Sequence, residues 1–321
     1  MNNLKKPNKT IGFFLKKNYL TKMKLNFTTF RILVLCFGLL WSCKTGPPKK
    51  PSPIPKYKIG LQLFSVRDAM AEDPKGTLIA LKEMGYEDFE TYGFNPETGT
   101  IYGYTVAEFK ALLDELGLTT TSGHYGFAAL METSPEGVSA YVEKCIAAAK
   151  ILESPYLTWP FVLEQYRNPA GFERLASLLN QIGQQVTEAG LGFAYHNHGY
   201  EFVNWEGTTG FDIILAKTNP KWVKLQLDMY WAIHSGKTPR ELVAEQPGRY
   251  VMWHIKNMHK VSRDYTEMGQ GSIDYTIMLP EAKTSGLQYY YIEQGGNFAI
   301  SSMESAKTSL RYVKENLLDQ L

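Results

Sequence analysis

The sequence predicts an α/β fold, a (β/α)8 barrel of the TIM type in a single domain, on three observations. Apolar runs of strand length recur eight times. One unit, an amphipathic helical segment closed by a glycine and followed by a strand, repeats as KEMG-YEDFE, DELG-LTTTS, TEAG-LGFAY and KTSG-LQYYY. The eight units fill 57–321, the usual length for a closed parallel barrel. An open, doubly wound sheet is the competing arrangement, but no Gly-rich nucleotide turn follows the first strand.

In chain order the strand segments are IGLQLFS, DFETYG, TTTSGHY, YLTWPF, GFAYHNH, VKLQLD, YVMWHIKN and YYYIEQ, and Ser302 to Leu318 supplies the closing helix. Helix starts are marked by Asp73-Pro74, Ser134-Pro135 and Thr238-Pro239, each an N-cap before a first-turn proline. Thr105 with Glu108 fits a capping box. Gly85, Gly117, Gly190 and Gly286 stand at helix ends, where positive φ costs glycine nothing.

The first 42 residues read as a signal peptide of the lipoprotein type. They hold eight Lys or Arg and no acid, followed by a short apolar run, Ile32 to Trp41. That run is far shorter than the roughly 20 residues a spanning helix requires. Leu40-Trp41-Ser42-Cys43 resembles a bacterial lipobox with a bulky Trp41, which makes Cys43 the expected lipidation site. Met23 offers a second plausible start. The proline-rich stretch 43–56 reads as a tether, and the barrel occupies 57–321. Cys36 leaves with the leader and Cys43 would be acylated, so only Cys145 remains as a free thiol and no intrachain disulfide is expected.

The chain has 34 basic and 32 acidic residues; removing the leader's eight leaves 26 basic ones, a net of about −6. The apparent basicity belongs to the leader. A nucleic-acid partner, which would call for a basic face, is not expected.

In a barrel of this type the strand C-termini carry the chemistry. The polar residues there are Glu90, His124, Trp159, His196, His198, Asp228, His254, Lys256 and Glu293. Residues i and i+2 of a strand share a side, so His196 with His198, and His254 with Lys256, can both face inward. Imidazoles and carboxylates from four consecutive strands, His196, Asp228, His254 and Glu293, suit one divalent metal ion such as Mn, Co, Zn or Mg. Each residue also has an ordinary reading: a strand-end histidine often just completes a hydrogen bond, and Asp228 fits the cap of the next helix.

The segments LQLFSVRD, YHNHGYEF, LQLDMYWAIHSG, PGRYVMWHIKNM, EMGQGSIDY and YYIEQ, then SLRYVKENL, closely resemble the xylose isomerase-like sugar phosphate isomerase/epimerase family over Lys58 to Leu317. The resemblance implies a metal held by glutamate, aspartate, histidine and glutamate, with the two glutamates flanking the sugar as acid and base. Asp228, His254 and Glu293 match; the first glutamate falls on His196, which leaves one clear carboxylate base. His198 or Glu201 can stand in for the missing partner. HIKN, ending on Asn257, stands for the family's His-x-Lys-Asp. Lys256 is then expected to bond a substrate oxygen or to form a salt bridge with Asp228 or Glu293. Glu90, His124, Trp159 and Trp231 are expected to contact substrate, with Phe64, Tyr125 and Tyr230 as further aromatic candidates.

The expected activity is that of a metal-dependent sugar isomerase or epimerase, abstracting a proton α to a carbonyl through a metal-stabilised enediolate. Export points to a non-phosphorylated carbohydrate at the periplasm or cell surface. No phosphate cluster is evident, although Arg67, Arg240 and Arg249 stay open. A 3-keto-glycoside lyase or hydratase is the alternative, since one base suffices there; a non-catalytic sugar-binding lipoprotein is a further one. A metal-dependent endonuclease on this barrel conflicts with the mature charge. The expected partners are a small carbohydrate and, through the lipid anchor alone, the membrane; the oligomeric state stays open.

Overall fold

A computed structural model describes residues 57–317. The segments expected to be a signal peptide and a tether, and Cys43 between them, lie outside the described residues.

All eight expected segments form strands: β1 (Gly60–Gln62), β2 (Asp88–Thr91), β3 (Thr119–His124), β4 (Tyr156–Trp159), β5 (Gly192–His196), β6 (Lys224–Asp228), β7 (Met252–Ile255) and β8 (Tyr289–Ile292). Each pairs in parallel with its sequence neighbours, and β8 pairs with β1, so the sheet closes into a barrel. Among the described residues ten α-helices accompany them: α1 (Arg67–Glu72), α2 (Pro74–Met84), α3 (Val106–Leu116), α4 (Pro135–Leu152), α5 (Pro169–Glu188), α6 (Gly210–Lys217), α7 (Met229–His234), α8 (Pro239–Glu245), α9 (Ala282–Ser285) and α10 (Ser302–Asn316).

Most of the helix signals act as expected. Asp73 Oδ1 accepts from Gly76 N at 2.9 Å, Ser134 Oγ accepts from Gly137 N at 3.2 Å, and Thr105 with Glu108 forms the reciprocal capping box. Thr238 is the exception. Its side chain makes no cap bond; its carbonyl receives Glu241 and Leu242 N–H instead, and Pro239 fixes the first turn. Gly85, Gly117 and Gly286 close their helices with φ of +107°, +65° and +75°.

Alternation along the strands sorts the barrel into two apolar zones. Outward residues such as Leu61, Phe89, Leu157, Phe193, Leu225 and Trp253 are fully buried against helix residues including Leu78, Phe109, Val142, Leu179 and Ile214. Each such side chain contributes roughly 1.5–3 kcal/mol relative to exposure. Inside, the lower barrel is filled by Tyr156, Ala194, Met252 and Tyr291. Gly60 and Gly192 make room for the tyrosines: a Cβ on Gly192 would lie 2.3 Å from the Tyr156 ring, and one on Gly60 2.6 Å from that of Tyr291.

The β2–β3 register slips by one residue between Phe89 and Glu90. As a result both Thr121 and Ser122 point into the barrel, Thr121 bonding Asp88 and the Tyr291 hydroxyl, and Ser122 bonding Glu90 and Thr158. This bulge changes the phase of β3, so that His124 arrives on the inner side.

Candidate metal and catalytic site

The inward positions at the upper ends of β5 to β8 are His196, Asp228, His254 and Glu293, each offering one ligand atom within 4.8 Å of the others. The first three are buried in the barrel mouth, and the Glu293 side chain is 10% exposed. His254 Nδ1 lies 2.9 Å from Glu293 Oε2, and its Nε2 lies 2.5 Å from Glu90 Oε2. Lys256 Nζ bridges Asp228 Oδ2 at 2.8 Å and Glu293 Oε2 at 2.5 Å, the salt bridge that was one of its two expected roles. His124, His196 and His254 form a second group of possible ligands that shares two members with the first.

The electrostatics follow from burial. Desolvation disfavours charge on every member, and neighbours decide which stay charged. At His254 burial is outweighed by Glu90 and Glu293, which push the imidazole up to about 10. His196 is held well below the usual range, first by burial and then by His254, and so is a neutral imidazole. Burial and then Lys256 lower His198 to about 3. Glu293 stays well below the carboxylate range, because Lys256 and His254 outweigh its burial. At Asp228 burial raises the carboxyl against the pull of Lys256, and Glu293 raises it further.

This donor set fits a divalent ion. Two imidazoles and two carboxylates converge in a buried space, where His196 Nδ1 lacks a hydrogen-bond partner among the described residues and Asp228 Oδ2 is met by the Lys256 ammonium. A carboxylate behind a ligating histidine is the usual support for its orientation, and Glu90 stands there behind His254.

The structure corrects several expected roles. Glu90 does not line the cavity: it is fully buried and accepts from Gln62 Nε2 (2.7 Å), Ser122 Oγ (2.6 Å) and Gln226 Nε2 (2.7 Å), so its contact is with the histidines and not with substrate. Trp159 is also not a substrate contact. Thr158 takes the inward position of β4, which sends Trp159 outward to stack on Phe127 at 5.9 Å and donate to the Phe161 carbonyl. Glu201 cannot replace the absent glutamate, since it is buried and accepts from the Tyr195 hydroxyl at 2.6 Å and His198 N at 2.9 Å. Trp231 stands behind His198, ring centroids 5.6 Å apart, beside the cavity but outside its lining. Asp228 fills both of its readings: Oδ1 caps α7 by accepting from Trp231 N at 3.0 Å, while Oδ2 faces the cluster.

A cavity of about 380 Å³ opens onto the cluster and is lined by His124, His196, His198 and Glu293 on one side and by aromatic residues on the other. No lysine or arginine is among its lining residues. Arg67 donates to the Phe64 and Gly295 carbonyls, Arg240 pairs with Glu281, and Arg249 is buried among the Val223 and Leu215 carbonyls and Thr218. A larger groove of about 590 Å³ lies at the opposite ends of the strands, around Lys58, Thr119 and Tyr289; Lys110 there pairs with Asp114 and Glu153.

Sequence reasoning missed the polar layer beneath the cluster, Gln62, Ser122, Thr158 and Gln226, all wholly buried. Two of them carried a signal: LQLFS and VKLQLD each place a glutamine in the middle of an apolar strand. Asn197 was also missed. It accepts from Asp228 N at 3.0 Å and donates to the Asp228 carbonyl, tying β5 to β6 at ligand height.

Residues 78–315 match the xylose isomerase-like TIM barrel family. The chain belongs to that family. This family member is 26% identical over 168 residues to an inosose dehydratase of Clostridium botulinum (strain Alaska E43 / Type E3), a match covering 46% of this chain and 55% of the relative. It thus spans about half the length of that relative. Among solved structures it is similar to a sugar phosphate isomerase/epimerase of Parabacteroides distasonis ATCC 8503, with TM-score 0.72 and 23% identity over 84% of this chain and 97% of that one. It is also similar to the IOLI protein with a bound zinc atom, with TM-score 0.65 and 15% identity over 82% and 99%. These likenesses show the fold.

Proposed function

We propose that the chain is a metal-dependent, sugar isomerase/epimerase-like enzyme that removes a proton α to a carbonyl of a non-phosphorylated carbohydrate. The observation that carries this is Glu293, which belongs to the four-residue cluster and is also the one carboxylate among the described residues lining the cavity. Its Oε2 is held by His254 and Lys256, and Oε1 carries no hydrogen bond among the described residues and is free to take a proton. The lowered Glu293 keeps this base ionised near neutral pH. Lys256, held cationic by Asp228 and Glu293 despite burial, stands outside the cavity lining and steadies the Glu293 carboxylate from behind. His198 faces the cavity as a neutral imidazole, a second group able to exchange a proton with substrate.

A divalent ion, Mn, Co, Zn or Mg, would sit on His196, Asp228, His254 and Glu293, and when bound supplies Lewis-acid polarisation of the carbonyl. The zinc of the IOLI protein supports that choice. The absence of Lys and Arg from the cavity lining supports a substrate without phosphate. The leader supports export, and we propose a lipid anchor on Cys43; loss of radiolabelled palmitate in Cys43→Ser tests it.

A second reading is favoured by the single cavity carboxylate and by the dehydratase relative: elimination, as in a 3-keto-glycoside lyase or hydratase, needs one base where two-base epimerisation needs two. Proton NMR in D2O on the metal-loaded protein, with free ketoses and 3-keto-glucosides, separates these. Deuterium at the α-carbon with an intact skeleton is expected for isomerisation, and loss of the β-substituent marks the lyase. Neither event with metal bound would leave a sugar-binding protein without catalysis.

A further inference from the structure

The cavity has two unlike halves. The end of β5 and the loops after β5 and β8 supply its imidazoles and carboxylate, with His124 from β3, and the loops after β1 to β4 supply Phe64, Tyr92, Phe94, Tyr125 and Phe161. We propose that this aromatic half is a subsite for the aglycone of a glycoside, an apolar aryl ring attached to the sugar that the polar half holds. The sugar's place rests on the reaction proposed above.

Phe64 and Phe161 are each 41% exposed, a poor use of large apolar side chains unless something covers them. Neighbouring groups hold the Phe64 ring and the backbone at Phe161 before any ligand arrives. Phe64 packs edge-on to Tyr92 at 5.4 Å and Phe94 edge-on to Tyr125 at 5.8 Å. The Arg67 guanidinium lies 4.6 Å over Phe64 while bonding two carbonyls, and the Phe161 carbonyl is held by Trp159 Nε1 at 2.7 Å. A rigid wall of this kind binds without an ordering cost. Phenylalanine and tyrosine supply its side chains, with no charged or amide side chain among them, so a second sugar ring would find few partners for its hydroxyls, whereas an aryl ring needs none. Continuity with Glu293 and His198 places such a ring on the same ligand as the reacting carbon.

The test uses the metal-loaded protein and three probes: phenol, phenyl β-glucoside and methyl β-glucoside, with cellobiose as the two-sugar control. Saturation-transfer NMR should show phenol bound, and phenyl glucoside should bind about tenfold more tightly than methyl glucoside, in keeping with one buried ring pair. The Phe64→Ala/Phe161→Ala protein should reduce that ratio to about twofold or less with metal content unchanged; Phe161→Leu, which keeps apolar bulk, should lie between. The subsite is overturned if phenol gives no signal, if its signal survives the double substitution, or if cellobiose outcompetes phenyl glucoside. Phenol bound at Phe64 and Phe161 with no glucoside bound or turned over would instead sink the sugar reading and leave the aromatic site standing.

Discussion

Glu293 touches His254 and Lys256 and also faces the cavity, so its replacement bears on the base and on the candidate metal cluster together. Glu293→Gln is expected to lower α-proton exchange by about 10²–10⁴ while the far-ultraviolet spectrum stays native. Unchanged exchange in a folded protein would remove Glu293 from the role of base. Glu90 makes a different prediction, because it works through His254. Glu90→Gln should weaken metal affinity by about 10–100-fold, read by competition with a chromogenic chelator, without creating a new ligand. Asp88 is remote from this chemistry. Burial pushes it up to about 6 despite bonds from Thr119 and Thr121 and the nearby Lys58 charge. An acid whose folded pKa exceeds its unfolded one contributes least at high pH: stability is full below about 4 and falls as pH rises towards 6, by about 3 kcal/mol at most. Asp88→Asn should therefore flatten the denaturation midpoint between pH 4 and 6 relative to wild type; an unaltered slope would refute it.

At the scale of elements, the strand ends aim the site through backbone phase and cross-strand ties. The bulge in β3 brings His124 inward, and Asn197 fixes the height of Asp228 through two bonds. Asn197→Ala leaves the buried Asp228 N–H without its partner, at a cost of about 1–3 kcal/mol, and should lower metal affinity as well as the urea midpoint. A drop in stability with undiminished metal binding would show that the tie serves the fold alone. The capping signals at Asp73, Ser134 and Thr105 were legible because a cap is local: three residues and one hydrogen bond define it. The bulge was not legible, since register depends on the partner strand, and neither was the outward turn of Trp159, since a strand's end does not show which of Thr158 and Trp159 takes the inward phase.

For the whole molecule, the cluster couples the last four strands, which lie far apart in sequence, through groups buried without full satisfaction. A divalent ion that binds the folded chain at 100 times its Kd should add about 2.7 kcal/mol, raising Tm by about 5–10 °C for a domain of this size, with EDTA reversing the shift. A Tm indifferent to Mn, Co, Zn and Mg would argue against the metal site.

The sequence by itself determined the eight-fold alternation of strand and helix, the polar strand ends, the family, and the four residues that meet above β5 to β8, because periodicity, caps and strand ends are written locally. Only the tertiary structure decided that Glu90 supports His254 from below, that Lys256 bridges Asp228 and Glu293, that Glu201 is sealed behind His198, and that aromatic residues from β1 to β4 form one wall. Those outcomes depend on which side chains face one another across a closed barrel, and closure, register and burial are properties of all eight strands together.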